Sequence, residues 1–310
     1  MTNLKKYLYI INYPKPEKEL CLIEMKYLFK DKFFNKILFT EEKINPSISP
    51  FVRFRLEILF ADENIEKICK NLKDKGETSE DYKVEYIKFE EETIPHEERL
   101  NTIKALGLSI LGTCKMTKPK NLFGIIKINN IYYFGKLLKN DFMWDTHVKK
   151  PCSYSNSLST KLARVIVNLA SEGNKTKKII DPCCGIGTTI IEGKYLGLNI
   201  IGSDINPKVV QGANMNLEHF GFQPEIETKD LNSIEGEYDA SILDIPYGIF
   251  SHTNEDEQNN LIKSLRRISK KMILISFEDL SSLIIKNNFE IKDICPVTKG
   301  KFKRYIYICE

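Results

Sequence analysis

The chain has 310 residues, 42% hydrophobic and 28% charged, with a formal net charge of +4. That is enough chain for two ordinary domains, in the composition range of globular proteins, not of disordered or fibrous ones. No apolar run approaches the roughly 20 residues that cross a bilayer. Met1–Lys6 lacks the apolar core of a leader, and the eight cysteines include no Cys-x-x-Cys spacing. A cytoplasmic protein with reduced thiols and no metal site is therefore expected.

The first half reads as small α+β units. A strand is expected near Tyr7–Ile11 and a helix near Glu19–Phe29. Val52–Ile58 alternates strictly, as a half-buried strand does. Ile65, Ile68 and Leu72 recur at helical spacing. Strand Tyr82–Phe89 precedes a helix over Glu97–Leu111. A hairpin follows, Phe123–Ile128 and Ile131–Leu138, around Asn129-Asn130, whose side chains tolerate the positive φ of a tight turn.

From Lys177 the pattern changes to short apolar strands alternating with amphipathic helices, the sign of a parallel sheet covered on both faces. The expected strands are Lys178–Asp181, Asn199–Asp204, Glu225–Lys229, Ala240–Asp244 and Met272–Phe277. Asn206 caps the helix after Asp204, Pro207 fits its first turn and Gly221 follows its end. The last two strands, Phe289–Pro296 and Tyr305–Cys309, are too close for a crossover helix, so the final strand should run antiparallel.

Charge is unevenly spread. Residues 61–98 hold thirteen acidic and six basic side chains, whereas 115–150 hold eight lysines against Asp141 and Asp145. A second basic cluster is Lys299, Lys301, Lys303 and Arg304. Each is either a solvated face or a surface that attracts phosphate.

The stretch Asp181-Pro182-Cys183-Cys184-Gly185-Ile186-Gly187-Thr188-Thr189 follows the first strand of the parallel sheet and opens a helix. Gly185 and Gly187 let backbone approach a ligand, and open α/β sheets bind ligands at the carboxyl ends of their strands. There is no Gly-Lys-Ser/Thr of a P-loop, and Ile190 stands where a dinucleotide fingerprint has its third glycine. Asp204 ends the next strand, where a carboxylate accepts from ribose hydroxyls. Asp230 ends the third, placed to meet an adenine amine. This pattern resembles the S-adenosylmethionine-dependent methyltransferases of the Rossmann-like class, with which the antiparallel last strand agrees.

Asp244-Ile245-Pro246-Tyr247 resembles the Asp/Asn-Pro-Pro-Tyr/Phe motif of enzymes that methylate exocyclic amines of nucleobases. Such an amine is a poor nucleophile because its lone pair is delocalised into the ring. The Asp244 side chain and the Ile245 carbonyl would supply two acceptors for its protons, and Tyr247 would stack on the base for about 1–3 kcal/mol. Ile245 replaces the usual proline. The acceptor is a backbone oxygen, so the replacement does not delete it, and Pro246 still holds residue 245 extended. The plainer reading is an ordinary Asp-x-Pro turn. A nucleophilic role for Cys183 or Cys184 is weighed and set aside, because both lie in the cofactor turn.

The segment Pro151-Cys152-Ser153-Tyr154-Ser155-Asn156-Ser157-Leu158, with Leu162-Ala163-Arg164 and Val167-Asn168-Leu169-Ala170, resembles the entry to the catalytic domain of tRNA guanine-N2 methyltransferases that carry a THUMP domain. Glu192, Asp204-Ile205, Gly212-Ala213 and Asn216-Leu217 continue the likeness. The resemblance implies a ferredoxin-like unit over 1–75, a short THUMP-like RNA-binding unit over 76–148 and a methyltransferase domain over 149–310. It implies S-adenosyl-L-methionine as cofactor, held by Asp181, Cys183, Gly185, Gly187, Asp204, Ile205, Asp230 and Leu231, with catalysis at Asp244, Ile245, Pro246 and Tyr247. Its partner would be RNA, above all tRNA. Three functions stay open here: a tRNA guanine-N2 methyltransferase, an amino-methyltransferase of ribosomal RNA or of adenine-N6 in DNA, and an inactive RNA-binding homologue.

Overall fold

The computed structural model describes residues 6–29, 36–89, 94–154, 157–245, 254–299 and 302–310. In chain order the first elements are β1 (Tyr7–Ile11), α1 (Lys18–Leu28), β2 (Ile37–Thr40), β3 (Val52–Asp62), α2 (Ile65–Lys75) and β4 (Tyr82–Tyr86). They continue with α3 (His96–Gly107), β5 (Asn121–Ile128), β6 (Ile131–Lys139), α4 (Thr160–Ser171), β7 (Lys178–Asp181) and α5 (Thr188–Tyr195). Then come β8 (Asn199–Asp204), α6 (Pro207–His219), β9 (Glu227–Thr228), β10 (Tyr238–Asp244) and α7 (Glu255–Ile268). The last are β11 (Ser269–Ser276), α8 (Ser281–Lys286), β12 (Ile291–Lys299) and β13 (Phe302–Cys309).

The elements form two units. The first contains one six-stranded sheet in the order β2-β1-β3-β6-β5-β4. Strands from residues 1–75 and from 76–148 therefore share a sheet, joined where β3 pairs antiparallel with β6. Gly135 sits at that seam because a Cβ there would lie 1.8 Å from the Glu57 carbonyl oxygen. The hairpin turns through Asn129 and Asn130 at φ 47° and 69°, the left-handed conformation that asparagine tolerates. Helices α2 and α3 bury Ile68, Leu72 and Leu106 against Tyr82, Val84, Phe123 and Phe134.

The second unit carries a seven-stranded sheet in the order β12-β13-β11-β10-β7-β8-β9. Strands β7, β8, β9, β10 and β11 are parallel, and β13 runs antiparallel between β11 and β12. This is the Rossmann-like methyltransferase sheet with an antiparallel last strand. The chain leaves β7 toward β8 on one side and returns to β10 on the other. The carboxyl ends of β7 and β10 therefore flank the switch point, where such sheets bind ligands. The third parallel strand is shorter than expected, only Glu227–Thr228.

Helix α1 and residues 47–51 also belong to this second unit, although they come early in the chain. They wrap α4. Asn168 Nδ2 and the Ser49 hydroxyl donate to the buried carboxylate of Glu24, at 2.7 and 2.5 Å. Arg164, fully buried, donates to the carbonyls of Ser47 (2.9 Å) and Ile48 (3.1 Å) and to Glu192 Oε2 (3.0 Å).

Candidate active site

Strand β7 delivers Asp181 to the sheet edge with 4% exposure. Its Oδ1 accepts from the Cys183 N–H at 3.3 Å and its Oδ2 from the Thr189 hydroxyl at 2.5 Å. Burial pushes this carboxyl up to about 7. The chain then turns through Gly185 (φ 55°) and Gly187 (φ 78°) into α5. A Cβ on Gly185 would meet nothing within 4 Å. The glycine is required by its backbone conformation, and the face it presents is open.

Asp204, at the end of β8, braces that turn. Its Oδ2 accepts from the Gly185 N–H at 3.0 Å and its Oδ1 from the Asn206 N–H at 2.9 Å. Ile205 beside it is 68% exposed, an apolar surface next to a carboxylate. Asp230 Oδ1 takes the Asn232 N–H at 2.8 Å as a helix cap. Leu231 is different: its side chain packs in the core with Ile234 and Leu243.

Four of these carboxylates share one neighbourhood. The Cys183 thiol is pushed well above its usual range by burial and by the negative charge of Asp181, Asp204, Asp230 and Asp244 together. Cys184 is raised as well, by burial and by Asp181 and Asp204. Both thiols stay protonated and are poor nucleophiles, in keeping with packing roles.

At the end of β10, Asp244 Oδ1 is buried and accepts no hydrogen bond among the described residues. Burial pushes this carboxyl up to about 7; Arg304 opposes the rise and Asp181 adds to it. The Arg304 guanidinium lies 4.8 Å from the centre of the Phe277 ring. A buried acceptor without a partner among the described residues is uncommon in folded proteins. Ile245 donates its N–H to the Ile275 carbonyl at 3.0 Å and buries its side chain. Pro246 and Tyr247 lie outside the described residues, as do 300–301 of the C-terminal basic cluster.

The Ile245 contact gives the departure from the Pro-Pro pattern a physical meaning. A proline at 245 would delete this ladder donor and orphan the Ile275 carbonyl. Ile245→Pro should therefore destabilise the fold by about 1–3 kcal/mol, read as a lowered denaturant midpoint at constant m-value. An unchanged midpoint would show the bond carries nothing.

Two residues given no role in the sequence reading also build the site. Thr189 holds Asp181, and Asn216, fully buried, ties Cys152 to the glycine turn. Both lie in stretches the sequence singles out, Thr189 at the end of the glycine motif in the first turn of α5 and Asn216 in the Asn216-Leu217 likeness within α6, but only the fold shows what they hold.

The residues present are compatible with S-adenosylmethionine: Asp181 would suit its amino group, the open glycine face its amino-acid end, Asp204 its ribose, and Ile205 with Asp230 its adenine. Fold and site together define the S-adenosylmethionine-dependent methyltransferase class. Comparison with known proteins agrees. Residues 148–285 match an RMKL-like methyltransferase domain, UPF0020, and residues 7–215 match the N6_N4_Mtase family, described as DNA methylase. A tRNA (guanine(10)-N2)-dimethyltransferase of Methanothermobacter thermautotrophicus is 32% identical over 48% of this chain and 46% of its own length. A probable tRNA (guanine(10)-N2)-dimethyltransferase of Methanothermococcus thermolithotrophicus is 35% identical over 48% of this chain and 96% of its own length. Among solved structures, TrmN from Thermus thermophilus is 13% identical, covers 98% of this chain and 99% of its own, and has a TM-score of 0.48. The chain belongs to the N6_N4_Mtase family, whose model matches more than half of it, and to the tRNA methyltransferase family of the Methanothermococcus relative. It spans about half the length of the first curated relatives it matches.

Asp204→Ala should weaken cofactor binding about ten- to a hundredfold, the effect of losing a charged acceptor worth roughly 1.5–3 kcal/mol. Calorimetric titration measures it. Unchanged affinity in a folded variant would remove Asp204 from the site.

Proposed function

We propose that the chain transfers a methyl group from S-adenosylmethionine to the exocyclic N2 amine of a guanosine in tRNA. The observation that carries this reading is the buried Oδ1 of Asp244 at the switch point, which accepts no hydrogen bond among the described residues, beside the carboxylates of the cofactor turn. The cofactor supplies an electrophilic methyl when bound. Asp244 accepts a hydrogen bond from the target amine, localises its lone pair and takes up the proton that the nitrogen sheds. The Ile245 carbonyl serves as second acceptor, Tyr247 as stacking platform, and the base is flipped out of its stack to reach them. Two acceptors demand an amine with two hydrogens: guanine N2, adenine N6 or cytosine N4. The choice of guanine in tRNA rests on the relatives, named for that reaction.

Residues 1–75 and 76–148 are proposed as the ferredoxin-like and THUMP-like parts that grip RNA. The basic tract is narrower than its lysine count suggests. Lys115 and Lys120 pair with Asp81, and Lys139 pairs with Glu85. Lys118, Lys136 and Lys149 are exposed and form no ion pair among the described residues, so they are the proposed phosphate contacts.

The match to the DNA methylase family favours a second reading, methylation of an amine in DNA, but that match ends at residue 215, before Asp244. One experiment separates the two. With methyl-labelled S-adenosylmethionine, unmodified tRNA should take up label in preference to duplex DNA and ribosomal RNA fragments. Preferential labelling of DNA would replace this reading with the second.

A further inference from the structure

The short stretch before α4 is fastened onto the cofactor turn at three points. His147 Nδ1 lies 2.6 Å from Glu192 Oε1 on α5. Lys150 Nζ donates to the Thr188 hydroxyl, the first residue of α5, at 3.2 Å. The Cys152 N–H donates to Asn216 Oδ1 at 2.8 Å, while Asn216 Nδ2 donates to the carbonyls of Cys152 and Ile186, each at 3.0 Å. Ile186 lies between the two glycines of the turn, so Asn216 locks strap and turn together.

The strap thereby sets one cation, half-buried, against the start of α5. The helix ladder begins with the Ile191 N–H to the Gly187 carbonyl at 2.9 Å. The amides of the first turn thus lack intrahelical acceptors, and their dipoles favour an anion. Gly187, at the N-cap, has no side chain to cap this end. Glu192, whose charge acts on Lys150, is already held by His147 and Arg164. Burial lowers the Lys150 pKa, as it does for a cation whose position lacks a full counter-charge.

The amino-acid end of S-adenosylmethionine carries an ammonium and a carboxylate. Asp181 suits the first; an acidic neighbourhood of four aspartates does not suit the second without a cation. We infer that Lys150, set by the strap against Thr188, holds the carboxylate of the cofactor and is not a phosphate contact for RNA. This rests on the reading above, that the glycine turn binds S-adenosylmethionine.

The test is calorimetric titration of the full chain with two ligands, S-adenosylmethionine and decarboxylated S-adenosylmethionine, which lacks only the carboxylate. The wild type should bind the first about ten- to a hundredfold more tightly. Lys150→Met should lose that preference, binding both ligands with the affinity the wild type shows for the decarboxylated one. Lys150→Arg should keep most of the preference. Equal weakening toward both ligands would make Lys150 merely structural and overturn the assignment, as would an undiminished preference in Lys150→Met. A wild type that does not discriminate overturns it without the variants, so a poorly folding variant does not protect it. If the wild type bound neither ligand, the cofactor reading itself would fall, and the inference with it.

Discussion

Asp244→Ala should lower methyl transfer roughly a hundred- to ten-thousandfold, the range for removing a positioned proton acceptor, and leave cofactor affinity within a few-fold. The two readouts should separate because Asp244 ends β10, whereas Asp181 and Asp204, proposed to hold the cofactor, end β7 and β8. Equal loss of both would make Asp244 part of the cofactor pocket. Its pH behaviour follows from its environment. Burial pushes the carboxyl up to about 7, and only the ionised form is a full acceptor, so kcat/KM should fall as pH drops through that value. Stability should run the other way. Asp244, Asp181 and Glu24 all titrate near 7 in the fold because they are buried, against about 4 unfolded. Their stabilising contribution is complete below about pH 4 and is lost as pH rises through about 7. The ligand-free protein should therefore melt at lower temperature at pH 8 than at pH 6, while its activity rises over the same span. An activity profile flat from pH 6 to 8 would contradict the role given to Asp244.

Arg164→Ala should destabilise the second unit by about 3–5 kcal/mol, the cost of breaking a buried ion pair from one side. The variant would leave Glu192 facing His147 alone and would strip donors from the carbonyls of Ser47 and Ile48. The same contacts forbid a simple truncation. Deleting residues 1–148 removes α1, Ser47–Ile48 and His147. Arg164 then loses the carbonyls of Ser47 and Ile48, Asn168 loses both Glu24 and Ile48, and Glu192 loses His147, all at buried positions. Such a fragment should fail to fold and to bind cofactor, whatever the first unit does. The RNA grip is better tested in the whole chain. Lys118→Ala, Lys136→Ala and Lys149→Ala combined should weaken tRNA binding and flatten its salt dependence by about three phosphate contacts. A denaturant midpoint unchanged in Arg164→Ala would show that the buried network contributes little.

The parallel sheet was legible because its strands are short apolar runs, of which β7, β8 and β10 end in aspartates. The antiparallel last strand was legible from a connection too short for a crossover. Asp181, Asp204 and Asp244 could each be placed at a strand terminus from the chain alone. What the sequence hid was tertiary. Nothing local in Lys18–Leu28 tells that this helix packs on α4 through Glu24, because an amphipathic helix does not name its partner. Lys150 reads as one of eight equivalent lysines until the fold sets it against Thr188. Strand β2 was missed because Ile37–Thr40 is only four residues long. The expected strand over 225–229 shrank to two residues in β9, whose two side chains are both exposed, so burial gives it little reason to extend.

The carboxylate at the end of β10 is proposed to activate a guanine amine in tRNA. Nucleoside mass spectrometry of unmodified tRNA incubated with S-adenosylmethionine and either the wild type or Asp244→Ala tests it most directly. The wild type should yield N2-methylguanosine and the variant almost none. N6-methyladenosine in its place, or undiminished methylguanosine with Asp244→Ala, would contradict it.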